Sequence, residues 1–107
     1  MSSATTTTPA HKIAAAPISW GVCEVPGWGY QLSPRRVLVE IREIGLLATE
    51  LGPEGFLPSD PAARAVVLSQ HGLQAVGGFT PLLLHVPDHD PIPAVDLILD
   101  DYAASGA

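Results

Sequence analysis

Gly-Leu-Leu-Ala-Thr-Glu-Leu-Gly-Pro-Glu-Gly-Phe-Leu-Pro, the stretch Gly45–Pro58, decides how the chain folds. Its apolar run Leu46–Leu51 holds one carboxylate, Glu50, and breaks at Gly52-Pro53. The run is too short for a helix and is bounded by turn residues on both sides, so it reads as a buried strand. In α/β folds the chemistry sits at the C-terminal ends of parallel strands, which is where Glu50 stands. In strand alternation Glu50 shares a face with Ala48, while Leu47, Thr49 and Leu51 share the other. The larger apolar set is expected to face helices.

Helical patterns flank this strand. Ser33 is a good N-cap, and Pro34 fits the first helical position. Val37, Leu38, Ile41 and Ile44 then recur at helical spacing. Arg36, Glu40 and Glu43 lie opposite and can pair along the helix. Gly45 suits the residue that ends it. The same grammar returns at Asp60-Pro61, runs through Ala62–His71 to Gly72, and leads into the apolar run Leu73–Phe79. The two copies, Ser33-Pro34 to Gly45-Leu46 and Asp60-Pro61 to Gly72-Leu73, are offset by 27 residues. A repeat of cap, Pro, helix, Gly and strand is a βα unit used at least twice, which implies a parallel sheet with right-handed crossovers.

The repeat predicts helices over Pro34–Ile44 and Pro61–His71. Strands are expected over Ile13–Ser19, Leu46–Leu51 and Leu73–Gly78, parallel and in that spatial order. Pro17 cannot donate to a ladder, so the first strand should end or bulge near it. Gly21–Leu32 follows as a loop carrying Trp28, Gly29 and Tyr30. After the loop Thr80–His89, Asp90-Pro91 opens a third helix with Val95, Ile98, Leu99 and Tyr102 on one face.

The chain has 107 residues and a net charge of −6. A hydrophobic content of 47% belongs to a core-forming chain, and the length suits one small domain. No apolar run is long enough for a membrane span. Lys12, Arg35, Arg36, Arg42 and Arg64 form no basic stripe, which argues against a nucleic-acid partner. Met1–His11, rich in Ser and Thr, reads as a disordered tail and lacks the pattern of a secretory signal. The single Cys23 cannot form an internal disulfide, which fits a reducing cytoplasm.

Three motifs in order carry a family resemblance: Pro17-Ile18-Ser19-Trp20-Gly21, Ala48-Thr49-Glu50-Leu51-Gly52, and His71-Gly72-Leu73 leading to Val76-Gly77-Gly78. Over Lys12–Ala107 the chain resembles the N-terminal part of inosose dehydratase-like proteins, within the xylose isomerase-like TIM barrels (sugar phosphate isomerases/epimerases). The resemblance implies an α/β fold, a partial (β/α)8 barrel of about three βα units, with residues 1–11 as a tail and 12–107 as the incomplete barrel domain. It implies a metal-dependent lyase that dehydrates a keto-inositol, or alternatively a metal-dependent sugar isomerase or epimerase. The family binds a divalent metal, Mn or Co, through two Glu, one Asp and one His from later strands. None of those positions exists in this chain, so no metal and no catalytic residue is expected here, and the chain alone is expected to be inactive. The implied partner is a small sugar or inositol, without nucleic acid or membrane. A different class stays open: a truncated, non-catalytic α/β module that self-associates through open sheet edges. An apurinic-site endonuclease of the same superfamily is disfavoured by the acidic balance.

Glu50 and Trp20 match positions on the substrate-facing rim and are the candidate substrate-binding residues. Glu50 reads either as a carboxylate that accepts hydrogen bonds from substrate hydroxyls or as a structural carboxylate bonded within the fold. Trp20, Trp28 and Tyr30 read either as an aromatic wall against a sugar ring or as packing under a loop. His85, Asp88, His89 and Asp90 have the composition of a metal site. Pro87 and the short spacing work against convergence, however, and Asp90 is better used as a helix cap. Cys23 has Glu24 beside it and no basic neighbour, so it reads as an ordinary thiol. Gly52, Gly55, Gly77 and Gly78 form neither a dinucleotide fingerprint nor a phosphate loop.

Overall fold

A computed structural model of the chain describes residues 12–25 and 27–107. The tail reading of Met1–His11 lies outside the described residues. Helix α1 spans Pro34–Glu43 and helix α2 spans Pro61–Gln70. Each begins as its sequence directs. The Ser33 hydroxyl accepts from the Arg36 N–H at 3.3 Å, and the Asp60 carboxylate accepts from the Ala63 N–H at 2.9 Å. Each satisfies one of the orphan donors of a helix start, with Pro at the position that needs none.

The helix ends repeat as closely as the starts. The Leu46 N–H reaches back to the Ile41 carbonyl at 3.3 Å, and the Leu73 N–H to the Leu68 carbonyl at 2.8 Å. This closure places the preceding residue in the left-handed region, with Gly45 at φ +92° and Gly72 at φ +71°, where only glycine sits without strain. The chain leaves each helix already turned into a strand. Strand β1 is Ala48–Glu50 and strand β2 is Gln74–Gly77, and they pair in parallel.

The core lies between this sheet and the helices. Val37, Leu38 and Ile41 of α1 are fully enclosed, as is Leu68 of α2. They meet Leu51, Leu73 and Ala75 from the sheet side, with Val22, Phe56 and Leu57 from the loops. The alternation expected in β1 holds, since Thr49 and Leu51 are buried while Ala48 and Glu50 are half-buried. Leu47 departs from this pattern and is exposed, although its carbonyl accepts from the Gln74 N–H at 3.0 Å.

Four expectations are corrected. The strand expected over Ile13–Ser19 is a single parallel bridge, Ala15 to Thr49, followed by a 3-10 turn at Pro17–Trp20. The Ala15 N–H bonds the Ala48 carbonyl, and the Glu50 N–H bonds the Ala15 carbonyl. Pro17 ends that pairing: it has no N–H and its fixed φ suits a helical turn. The described sheet therefore has two strands rather than three, although the spatial order is as expected. Ile44 is exposed because α1 stops one residue before it. Helix α3, Ile92–Ala104, has no buried residue; Val95, Ile98 and Tyr102 are half-buried and Leu99 points away. No helix among the described residues is long and apolar enough to cross a membrane.

Two measurements check this packing. Leu38→Ala is expected to destabilise the chain by about 2–5 kcal/mol, whereas Leu97→Ala, at a site 71% exposed, should change it by about 0.5 kcal/mol or less. The outer edge of β2 is unpaired in the described sheet, and Val76, Phe79, Leu83 and Leu84 are exposed near or after it. Size-exclusion chromatography is therefore expected to show self-association or aggregation; a sharp monomer peak would overturn this.

Candidate functional site: a cleft at the strand ends

Glu50 is delivered by an irregularity in the ladder. Ala48 pairs with Gln74 and Thr49 with Ala75, but Glu50 pairs with Gly77, so Val76 is the extra residue of a bulge. A bulge re-aims the side chains beside it. Here the residue across from Glu50 has no side chain, which leaves space for the carboxylate. The Leu51 N–H then bonds the Gly77 carbonyl at 2.9 Å and closes the ladder.

Beyond this end of the sheet lies a cleft of about 780 Å3. Glu50 and Leu51 form one side of it, and Gly78 and Phe79 come from the end of β2. Ile18 reaches it from the first turn, and Ile98 and Tyr102 reach it from α3. Glu24, Glu54 and Asp101 add carboxylates, and Arg64 is the one basic side chain among the lining residues. Glu50 takes part in neither ion pair among the described residues, Arg36–Glu40 or Arg64–Asp101. The arrangement offers carboxylate acceptors and apolar patches, a combination suited to a ring bearing many hydroxyls. A smaller cavity of about 580 Å3 lies between Val22–Glu24 and Pro53–Phe56.

The structure separates the two candidates for substrate contact. Glu50 lines the cleft, whereas Trp20 is not among the residues that line it. The Trp20 indole N–H donates to Glu40 of α1 at 3.2 Å, and the ring packs against the core. Trp28 and Tyr30 are exposed and line neither cavity. His85, Asp88, His89 and Asp90 are all exposed. The expected cap at Asp90 is corrected: the cap position of α3 is Pro91 and has no side-chain cap bond, while the Asp90 carboxylate accepts from the Ile92 N–H at 3.0 Å, a turn bond just before the helix. Among the described residues no group of three or more His, Cys, Asp or Glu is placed to hold a metal ion. Cys23 is a half-buried free thiol whose sulfur lies 3.7 Å from the Val25 carbonyl oxygen.

Sequence reasoning missed Glu24, read only as the neighbour of Cys23, and Arg64, read only as one of five scattered bases. Arg64 had a usable signal. It lies four residues after the cap Asp60, and helical side chains lean toward the N-terminus, so it had to reach back over Pro58-Ser59.

Glu40 has a lowered pKa, held down first by the hydrogen bond from Arg36 and next by that from the Trp20 indole; desolvation opposes both. A depressed folded-state value means the contribution to stability is present above the ordinary value of 4.5 and is lost as pH falls through the lower folded value. In a Trp28→Phe background, Trp20 emission is expected to stay constant from neutral pH down to that value and to change below it. Glu40→Gln should abolish the transition. An acid transition that survives Glu40→Gln would assign it to another group.

The chain is 35% identical to inosose dehydratase of Geobacillus kaustophilus (strain HTA426) over 72 residues, which is 67% of this chain and 23% of that protein. It is 37% identical to the rhizopine catabolism protein MocC of Rhizobium meliloti over 79 residues, 74% of this chain and 24% of that protein. No family model and no solved structure matches it. The chain spans about a quarter of the length of these curated relatives, and over the matched stretch it is inosose dehydratase-like.

Proposed function

We propose that the cleft is the polyol-binding rim of an inosose dehydratase-type lyase, and that the described βα units are the first three of a (β/α)8 barrel. The observation that carries this is the position of Glu50: a half-buried carboxylate at the C-terminal end of a parallel strand, lining a cleft and outside both ion pairs. The name of one relative, inosose dehydratase, supports the substrate class. In this reading Glu50 accepts hydrogen bonds from ring hydroxyls and fixes the ring's orientation. Trp20 supports the rim from behind by fixing the first turn to α1 through Glu40.

A divalent metal, Mn2+ or Co2+, would polarise the ketone in the complete enzyme. Among the described residues no group of three or more His, Cys, Asp or Glu would hold it. The free thiol of Cys23 supports a reducing, cytoplasmic setting.

Titration with inosose, with a common ketose as comparison, tests the reading. Glu50→Gln is expected to weaken inosose binding about tenfold or more, the scale of a hydrogen bond to a charged group. Its melting temperature should stay close to that of the parent chain, because the substitution removes no packing. At the matching position of a complete relative, the same change should lower turnover more than stability. Unchanged binding with a lowered melting temperature would make Glu50 a structural carboxylate.

A further inference from the structure

We propose that Arg64 is the positioning residue of the cleft: its guanidinium holds the α3 wall against the loop that follows β1, and it is not an anion-binding group. The assignment of a ligand to the cleft rests on the reading above; the clamp itself stands on geometry alone. An Arg as the one basic side chain lining a cleft would ordinarily be taken for the group that binds a phosphate or carboxylate. Here four of its five N–H donors are already committed. The Nε–H donates to the Pro58 carbonyl at 2.7 Å, and one terminal nitrogen donates to the Ser59 carbonyl at 2.7 Å. The other donates to the Asp101 carboxylate at 2.7 Å and the Ser105 hydroxyl at 3.3 Å. The side chain is only 14% exposed, so little of the guanidinium is left for an incoming anion.

The acceptors come from two separate parts of the chain. Pro58 and Ser59 end the loop that begins at the strand carrying Glu50, while Asp101 and Ser105 belong to α3 and its C-cap. Helix α3 needs such a tie because it buries no side chain fully. Its other fixed polar contact with the cleft side is the Tyr102 hydroxyl on Thr80, at 3.0 Å. Ser105, just past the helix, is buried and also donates to the Asp101 carbonyl at 2.9 Å. Arg64 therefore ties down, from the C-terminal end of α3, the wall that brings Ile98 and Tyr102 to the cleft. A lysine cannot replace it, since one ammonium does not reproduce a planar fork serving four acceptors.

Hydrogen exchange on the full chain reads the clamp directly. In Arg64→Gln and Arg64→Lys, the amides of Ile92–Ala104 are expected to exchange about tenfold faster or more, and those of α1 and β1 to stay within about twofold of the parent. Asp101→Asn, a milder change, should give a smaller effect that does not add to that of Arg64→Gln. Millimolar guanidinium should restore α3 protection in Arg64→Gly. Inosose affinity should fall with α3 protection in each variant. Inorganic phosphate should leave the parent's α3 exchange and amide spectrum unchanged. Unchanged α3 exchange in Arg64→Gln, or α1 exchange rising in step with it, would overturn the clamp. Phosphate binding that Arg64→Gln abolishes would do the same by making Arg64 an anion site. If the parent binds no polyol, the cleft reading fails, while the exchange comparison still decides the role of Arg64.

Discussion

The structure depends on one backbone closure, made twice. At the end of each of the first two helices a strand residue donates back into the last turn, Leu46 to Ile41 and Leu73 to Leu68. That bond sets the direction in which the chain leaves the helix, and it does so within a few residues. Because the two closures are alike, the two strands leave alike, and parallel pairing follows. The core follows in turn: strands leaving in the same sense put Leu51 and Ala75 on the helix side, against Leu38, Ile41 and Leu68. A helix that ended at a residue unable to adopt positive φ would frustrate this closure, and the sheet would lose its register before any side chain mattered.

The site is a consequence of where that regularity lapses. With an unbroken register, Glu50 would face Val76. The bulge puts Gly77 there instead and turns Val76 outward. The same lapse brings the Leu51 N–H to the Gly77 carbonyl, after which both chains diverge into loops. The cleft occupies that divergence. Fold and site thus divide the strand between them: Thr49 and Leu51 hold it to the helices, and Glu50, on the alternate face, is released from packing.

Local signals were the legible ones. Ser33, Asp60, Gly45 and Gly72 each act through bonds to residues within five positions, so their effect could be read from spacing. Glu50's place at a strand end was legible for the same reason. The first strand was legible only in part: the pairing ends near Pro17, as its missing N–H requires, but no local signal shows that it shrinks to one bridge and that Pro17 starts a 3-10 turn. The α3 stripe was read from periodicity, which marks an apolar face but says nothing of what covers it. Leu99 shows the difference, since it belongs to the stripe and is exposed. Trp20 was read by type, as an aromatic near a rim; its partner Glu40 lies 20 residues away, beyond the reach of any local pattern.

The two ion pairs illustrate why separation along the chain, more than charge, decides what a pair can do. Arg36–Glu40 joins residues one helical turn apart whose geometry α1 already fixes, and much of it faces water. Such a pair adds little to the fold. Its structural consequence comes through the second oxygen of Glu40, which receives the Trp20 indole and so links α1 to the first turn. Arg64–Asp101 joins residues 37 positions apart, across a loop, a strand and a second loop. No local geometry brings those groups together, so the pair excludes arrangements that the rest of the chain would allow. Its guanidinium is also largely withdrawn from water, where a charge left without partners is strongly penalised. The cleft therefore owes its far wall less to apolar packing, which is sparse on α3, than to the requirement that Arg64 keep its acceptors.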